Sequence, residues 1–174
     1  RKHGEPLAGA QSREGGIAEA LSLTREFISA DNVIVMLGDN IIEKNIVAYV
    51  NKFRKHPQGA RILLKEVEHP EQYGVPVFDD QNRIVRIIEK PKEPPTRYAV
   101  TGIYMYDKSV FEFIKTLKPS RRGELEITDV NNWYLKRGAM EFDVLPGYWT
   151  DAGTFESLFR ANALVARHKG VGRS

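Results

Sequence analysis

Apolar and polar residues recur along this chain with two periods, near 3.6 and near 2, and the changes of period predict its elements. From Gly15, the residues Ile17, Ala18, Leu21 and Phe27-Ile28 are spaced by three, four and seven, which places them on one face of a helix. Asp31-Asn32 breaks that helix. The run Val33–Leu37 then predicts a strand buried on both faces, as inside a parallel sheet. Gly38-Asp39-Asn40 ends it. A second helix is expected over 46–56, with Ile46, Val47, Val50 and Phe53 inward and Lys52, Arg54 and Lys55 outward. After the turn at Pro57–Gly59, residues 61–67 read as a strand. Residues 75–78 and 84–88 flank the polar turn Asp79–Asn82 and predict an antiparallel hairpin. Pro91, Pro94 and Pro95 exclude regular structure after Glu89-Lys90.

A strand over 98–106 follows, and Asp107 is placed to cap a helix over 108–117. Ile127, Val130, Trp133, Tyr134 and Arg137 suit another helix, closed by Gly138. A strand over 140–145 and a helix over 155–167 complete the pattern. Helices alternating with strands around one antiparallel insertion predict an α/β fold, a sheet sandwiched by helices in one domain over 1–174.

Composition narrows the class. With 41% hydrophobic and 28% charged residues in 174, a core can form and disorder is excluded for the bulk. The net charge of +3 is too small and too evenly spread to point to nucleic acid or a membrane surface. The absence of cysteine excludes disulfides, thiol nucleophiles and thiolate metal sites. The longest strongly apolar run falls far short of the ~20 residues of a membrane helix. A soluble, cytoplasmic protein is the expectation. The opening Arg1-Lys2-His3 lacks an initiator Met and reads like the middle of a longer chain.

Four places carry candidate chemistry. Asp39 stands just past the end of an apolar strand, at the carboxyl edge where open α/β sheets bind ligands; the same three residues also suit a plain turn. Asp151, between Trp149 and Gly153, suits a ligand loop or a solvated one. Together the two acids could hold one Mg²⁺, which takes oxygen ligands and keeps waters or phosphate oxygens. Glu89 can accept hydrogen bonds from sugar hydroxyls and Lys90 can meet a phosphate, or both can simply end a surface strand. Gln11 through Gly16 precede a helix whose first N–H groups could receive an anion or a flat ring. No Gly-x-x-x-x-Gly-Lys-Ser/Thr motif occurs, so an ATPase of that type is discarded.

The order of these motifs carries a resemblance. Gly16–Ala20, Leu37–Asn40, Tyr73–Val75, Glu89–Pro91, Ala99–Tyr104, Arg122–Asn131 and Trp149–Thr154 resemble the sugar-1-phosphate nucleotidylyltransferases, and most of all the glucose-1-phosphate thymidylyltransferase branch. The likeness runs from about Gln11 to Asn162. It implies a Rossmann-like nucleotidyltransferase fold, with a mixed, mostly parallel sheet. It implies that Asp39 and Asp151 hold Mg²⁺, that Gln11 and Gly16 contact thymine, that Gly74, Glu89 and Val100 line a glucose site, and that Lys90 grips the sugar phosphate with Thr101 and Gly102 beside it. The implied substrates are dTTP and glucose 1-phosphate, the product dTDP-glucose, and the assembly a homo-oligomer, commonly a tetramer.

One departure matters. The first strand and the Gly-Gly-x-Gly-Thr-Arg-Leu loop of such enzymes should stand well before Gln11, where only ten residues occur. Without that loop the chain by itself is expected to have little transferase activity, and the strand Val33–Leu37 is expected to be exposed. Two functions remain: an enzyme whose N-terminal segment lies outside this sequence, or a non-catalytic module binding sugar nucleotides.

Overall fold

A computed structural model describes residues 15–28 and 32–169. Its elements run α1 (Ile17–Leu23), β1 (Asn32–Met36), β2 (Ile41–Ile42), α2 (Val47–Lys55), β3 (Ala60–Glu66), a single 3-10 turn (Pro70–Gln72), β4 (Gly74–Phe78), β5 (Ile84–Glu89), β6 (Tyr98–Asp107), α3 (Ser109–Ile114), α4 (Ile127–Lys136), β7 (Met140–Val144), β8 (Trp149–Thr150) and α5 (Phe155–Lys169). The expected helix over 108–117 is shorter than its pattern, ending at Ile114 in turns that continue to Leu117.

Four strands form the main sheet in the order β1-β6-β3-β7. β7 runs parallel to β3, while β6 is antiparallel to both of its neighbours, β1 and β3. The sheet is therefore mixed: β1, β3 and β7 point one way and β6 the other. The predicted hairpin is β4–β5, and a further two-stranded ribbon pairs β2 with β8.

Alternation along the strands feeds two cores. Ile62 and Leu64 of β3 face Tyr104 and Tyr106 of β6, under Ala18 and Leu21 of α1, Val110 and Phe111 of α3 and Val130 and Tyr134 of α4. Leu63 faces the other way, with Ala99, Ile103, Leu145 and Trp149, and Ile46 and Tyr49 at the start of α2 pack there. Burying each of Ile62, Leu63 and Leu64 stabilises by about 1.5–3 kcal/mol. Eight consecutive residues of β6 are buried, as the central position of this strand requires.

Val33–Leu37 corrects the expectation of a strand buried on both faces. β1 pairs only with β6 among the described residues, and Ile34 and Met36 are 43% and 46% exposed. Among the described residues one edge of β1 has no neighbour, and a strand paired on one side only is not covered as a central strand is. The expectation of an exposed strand holds for one face only, because Val33 and Val35 on the other pack half-buried against the core.

Asp107 ties the far end of the sheet. Its carboxylate accepts hydrogen bonds from the Gly59 N–H at 2.6 Å, the Ser109 N–H at 3.0 Å and the Tyr134 hydroxyl at 2.9 Å. Burial pushes this carboxyl up, but the bonds from Ser109, Gly59 and Tyr134 outweigh it and hold the group below its usual range. Such a group adds stability that is fully present above about pH 4 and is lost as pH falls through the folded value. Asp107→Asn is expected to cost about 1–3 kcal/mol at pH 7. Thermal melts against pH should show the gap closing in acid; a gap that stays constant to the acid limit contradicts this account.

Candidate active site

A ladder of two residue pairs unites acids that lie far apart in the chain. β2 and β8 run antiparallel, with Ile41 opposite Thr150 and Ile42 opposite Trp149. The chain enters β2 from Asp39-Asn40 and leaves β8 into Asp151, so both acids fall at the same end of the ribbon. They line one cavity of about 370 Å³ with Gly74, Glu89, Lys90, Val100, Gly102 and Arg122.

Each acid is held by one oxygen. Asn40 Nδ2 donates to Asp39 Oδ1 at 2.9 Å. The Asn40 amide is itself oriented, because its Oδ1 accepts from the Gly102 N–H at 3.0 Å and from Trp149 Nε1 at 2.7 Å. The Tyr73 hydroxyl donates to Asp151 Oδ2 at 2.9 Å. Burial, and then the Asp151 carboxylate, push this phenol well above its usual range, so it remains a protonated donor. Asp39 Oδ2 and Asp151 Oδ1 accept no hydrogen bond from the described residues.

These features fit Mg²⁺. The cavity wall carries five carboxylates, those of Asp39, Glu89, Glu124, Glu126 and Asp151, against the two cations Lys90 and Arg122. An excess of negative charge suits a divalent cation, and oxygen donors suit a hard one. A Cβ added at Gly153 would stand 3.2 Å from Asp39 Oδ2, so a glycine keeps space beside that oxygen. Among the described residues no cluster of three or more metal-ligating side chains occurs. Two protein carboxylates, those of Asp39 and Asp151, would leave the remaining positions to water or phosphate, as Mg²⁺ prefers.

The other half of the cavity is the end of the β4–β5 hairpin. Gly74 lies opposite Glu89 in the register. Glu89 Oε2 accepts from the Thr128 hydroxyl at 2.5 Å, and its Oε1 lies 3.8 Å from Arg122 Nη2. Lys90 has φ +43°, a left-handed conformation that non-glycine residues rarely adopt. Its N–H donates to the Tyr73 carbonyl at 3.0 Å, which holds that turn. Arg122 also pairs with Glu124 at 3.4 Å and Glu126 at 2.8 Å.

The structure thus gathers Asp39, Asp151, Glu89, Lys90, Gly74, Val100 and Gly102. Thr101 does not line this cavity. Strand alternation turns it to the opposite face from Val100 and Gly102, and its buried hydroxyl donates to the Leu63 carbonyl at 2.9 Å. Gly16 starts α1 at φ +86° and lines an adjoining apolar groove beside Val33 and Val35 instead of the cavity. Gln11 lies outside the described residues. Sequence reading assigned no role to Asn40, Tyr73, Arg122 or Trp149. All four stand in the quoted motifs, but only their long-range partners show what they do.

The family model described as nucleotidyl transferase matches residues 3–168. A nucleotidyltransferase of low-salt glycan biosynthesis from Haloferax volcanii is 41% identical over 157 residues, 90% of this chain and 44% of its own length. A glucose-1-phosphate thymidylyltransferase from Neisseria meningitidis is 42% identical over 158 residues, 89% of this chain and 55% of its own. This chain therefore spans about half the length of these relatives. A crystal structure of a candidate glucose-1-phosphate thymidylyltransferase from Bacillus anthracis with sucrose superposes with a TM-score of 0.82 at 55% identity, covering 88% of this chain and 62% of that one. A UDP-glucose pyrophosphorylase bound to UDP-glucose, at 24% identity and a TM-score of 0.79, shares the fold. With its motifs in order, its mixed sheet flanked by helices and this coverage, the chain belongs to the nucleotidyl transferase family.

Proposed function

We propose that this chain forms the sugar-phosphate and metal half of a thymidylyltransferase that joins dTTP to glucose 1-phosphate, giving dTDP-glucose and pyrophosphate with Mg²⁺. The observation that carries the reading is the single cavity. It sets two acids, each with an oxygen left unbonded among the described residues, beside Lys90 and the Gly74–Glu89 edge. The names of the thymidylyltransferase relatives support the choice of substrates.

In this reading Glu89, Gly74 and Val100 orient the glucose ring, and Lys90 and Arg122 restrain its phosphate. Gln11 and Gly16 serve the thymine, by resemblance. A phosphate oxygen attacks the α-phosphorus of dTTP in line, that bond forms as the bond to the β-phosphate bridge breaks, and pyrophosphate leaves. No general base is required, because the attacking phosphate is already ionised near neutral pH. The protein's contribution is position and charge. Asp39 and Asp151 would hold Mg²⁺, which when bound supplies neutralisation of phosphate charge.

The test is release of pyrophosphate and formation of dTDP-glucose from dTTP and glucose 1-phosphate, measured with the protein as its gene encodes it. Both products are expected, and only with Mg²⁺. Binding of glucose 1-phosphate with no product from any nucleoside triphosphate would instead support a non-catalytic binding module.

A further inference from the structure

Tyr73 touches both halves of the cavity through different atoms. Its hydroxyl reaches Asp151 Oδ2 across the sheet edge, while its carbonyl takes the Lys90 N–H and so supports the left-handed turn from which Lys90 projects. Its ring packs edge-on against Trp149, with centroids 5.2 Å apart, and Trp149 in turn bonds the Asn40 amide that holds Asp39. One residue therefore connects the acid after β8, the lysine after β5 and, through Trp149, the acid after β1.

We propose that Tyr73 is a positioning residue whose hydroxyl orients the Asp151 carboxylate for a divalent cation, building the cation site and the sugar-phosphate site on one connected unit. This rests on the reading of Asp151 as a metal ligand. A carboxylate with one oxygen fixed presents the other in a narrow range of directions. Without the hydroxyl, Asp151 is free to rotate, and ordering it again opposes cation binding. Outer hydrogen bonds to metal ligands typically change metal affinity about 10–100-fold.

Tyr73→Phe isolates the effect, since it keeps the ring against Trp149 and the carbonyl on Lys90 and removes only the hydroxyl. The readout is Mn²⁺ binding by electron paramagnetic resonance, with glucose 1-phosphate binding measured separately in the absence of metal. Mn²⁺ affinity is expected to fall about 10–100-fold, while sugar-phosphate affinity stays within about twofold. Because Tyr73 acts through Asp151, adding Tyr73→Phe to Asp151→Asn should lower Mn²⁺ affinity no further. If Asp151→Asn weakens Mn²⁺ binding and Tyr73→Phe does not, the inference falls and the metal reading stands. If the parent protein binds no Mn²⁺, both fall. Equal losses of metal and sugar-phosphate binding with a large drop in melting temperature would make Tyr73 a structural residue only, which also overturns the proposal.

Discussion

On the proposed function, Asp39→Asn in the protein as its gene encodes it is expected to lower pyrophosphate release at least about 100-fold, the scale of removing one preorganised charge from a phosphoryl-type transition state. The substitution changes little else. Asparagine has the same shape and keeps an oxygen that can accept from Asn40 Nδ2, so the turn that follows β1 should persist. What is lost is the negative charge and the oxygen facing the space beside Gly153. Steady-state rates should therefore collapse while the thermal midpoint stays near that of the parent. Turnover within a few-fold of the parent would overturn the proposal that Asp39 holds a metal, and with it the proposed division of the cavity.

The second large effect is far from the chemistry. Gly59→Ala is expected to destabilise the protein by about 2–4 kcal/mol, combining a disfavoured left-handed residue with overpacking. Gly59 has φ +79°, and a Cβ there would stand 2.3 Å from the Ala139 carbonyl oxygen. That oxygen belongs to fixed backbone: it accepts the Ala60 N–H at 2.8 Å where β3 and β7 begin their parallel pairing. The Gly59 N–H and carbonyl are also both bonded to Asp107. A methyl group has no soft side chain to displace and must open the β3–β7 edge. Chemical denaturation measures the loss; a change below about 0.5 kcal/mol, the usual range for surface substitutions, would contradict the geometry.

Both residues show how far sequence reading reaches. The pattern marks Pro57–Gly59 as a turn and Asp39 as the acid ending an apolar strand, and the structure has both. It does not reveal that the turn abuts Ala139 or that Asp39 is held by an asparagine locked onto Gly102 and Trp149. Arg122 makes the same point. It is one cation in a loop rich in charge until the fold sets it beside Glu89, Glu124 and Glu126.

By itself the sequence determined the α/β alternation, the hairpin before Glu89-Lys90 and the order of motifs that place the chain in its family. Those features are local: a side chain's period and a proline's missing N–H act within a few residues. The tertiary structure alone decided which strands became neighbours. It set β6 antiparallel between β1 and β3, turned Thr101 from the cavity, left Ile34 and Met36 exposed, and joined Asp39 to Asp151 through a ribbon of two pairs. A ladder so short has no period to read, and strand pairing depends on packing between residues a hundred positions apart. The acids are legible one at a time, and the site they form exists only once β2 meets β8.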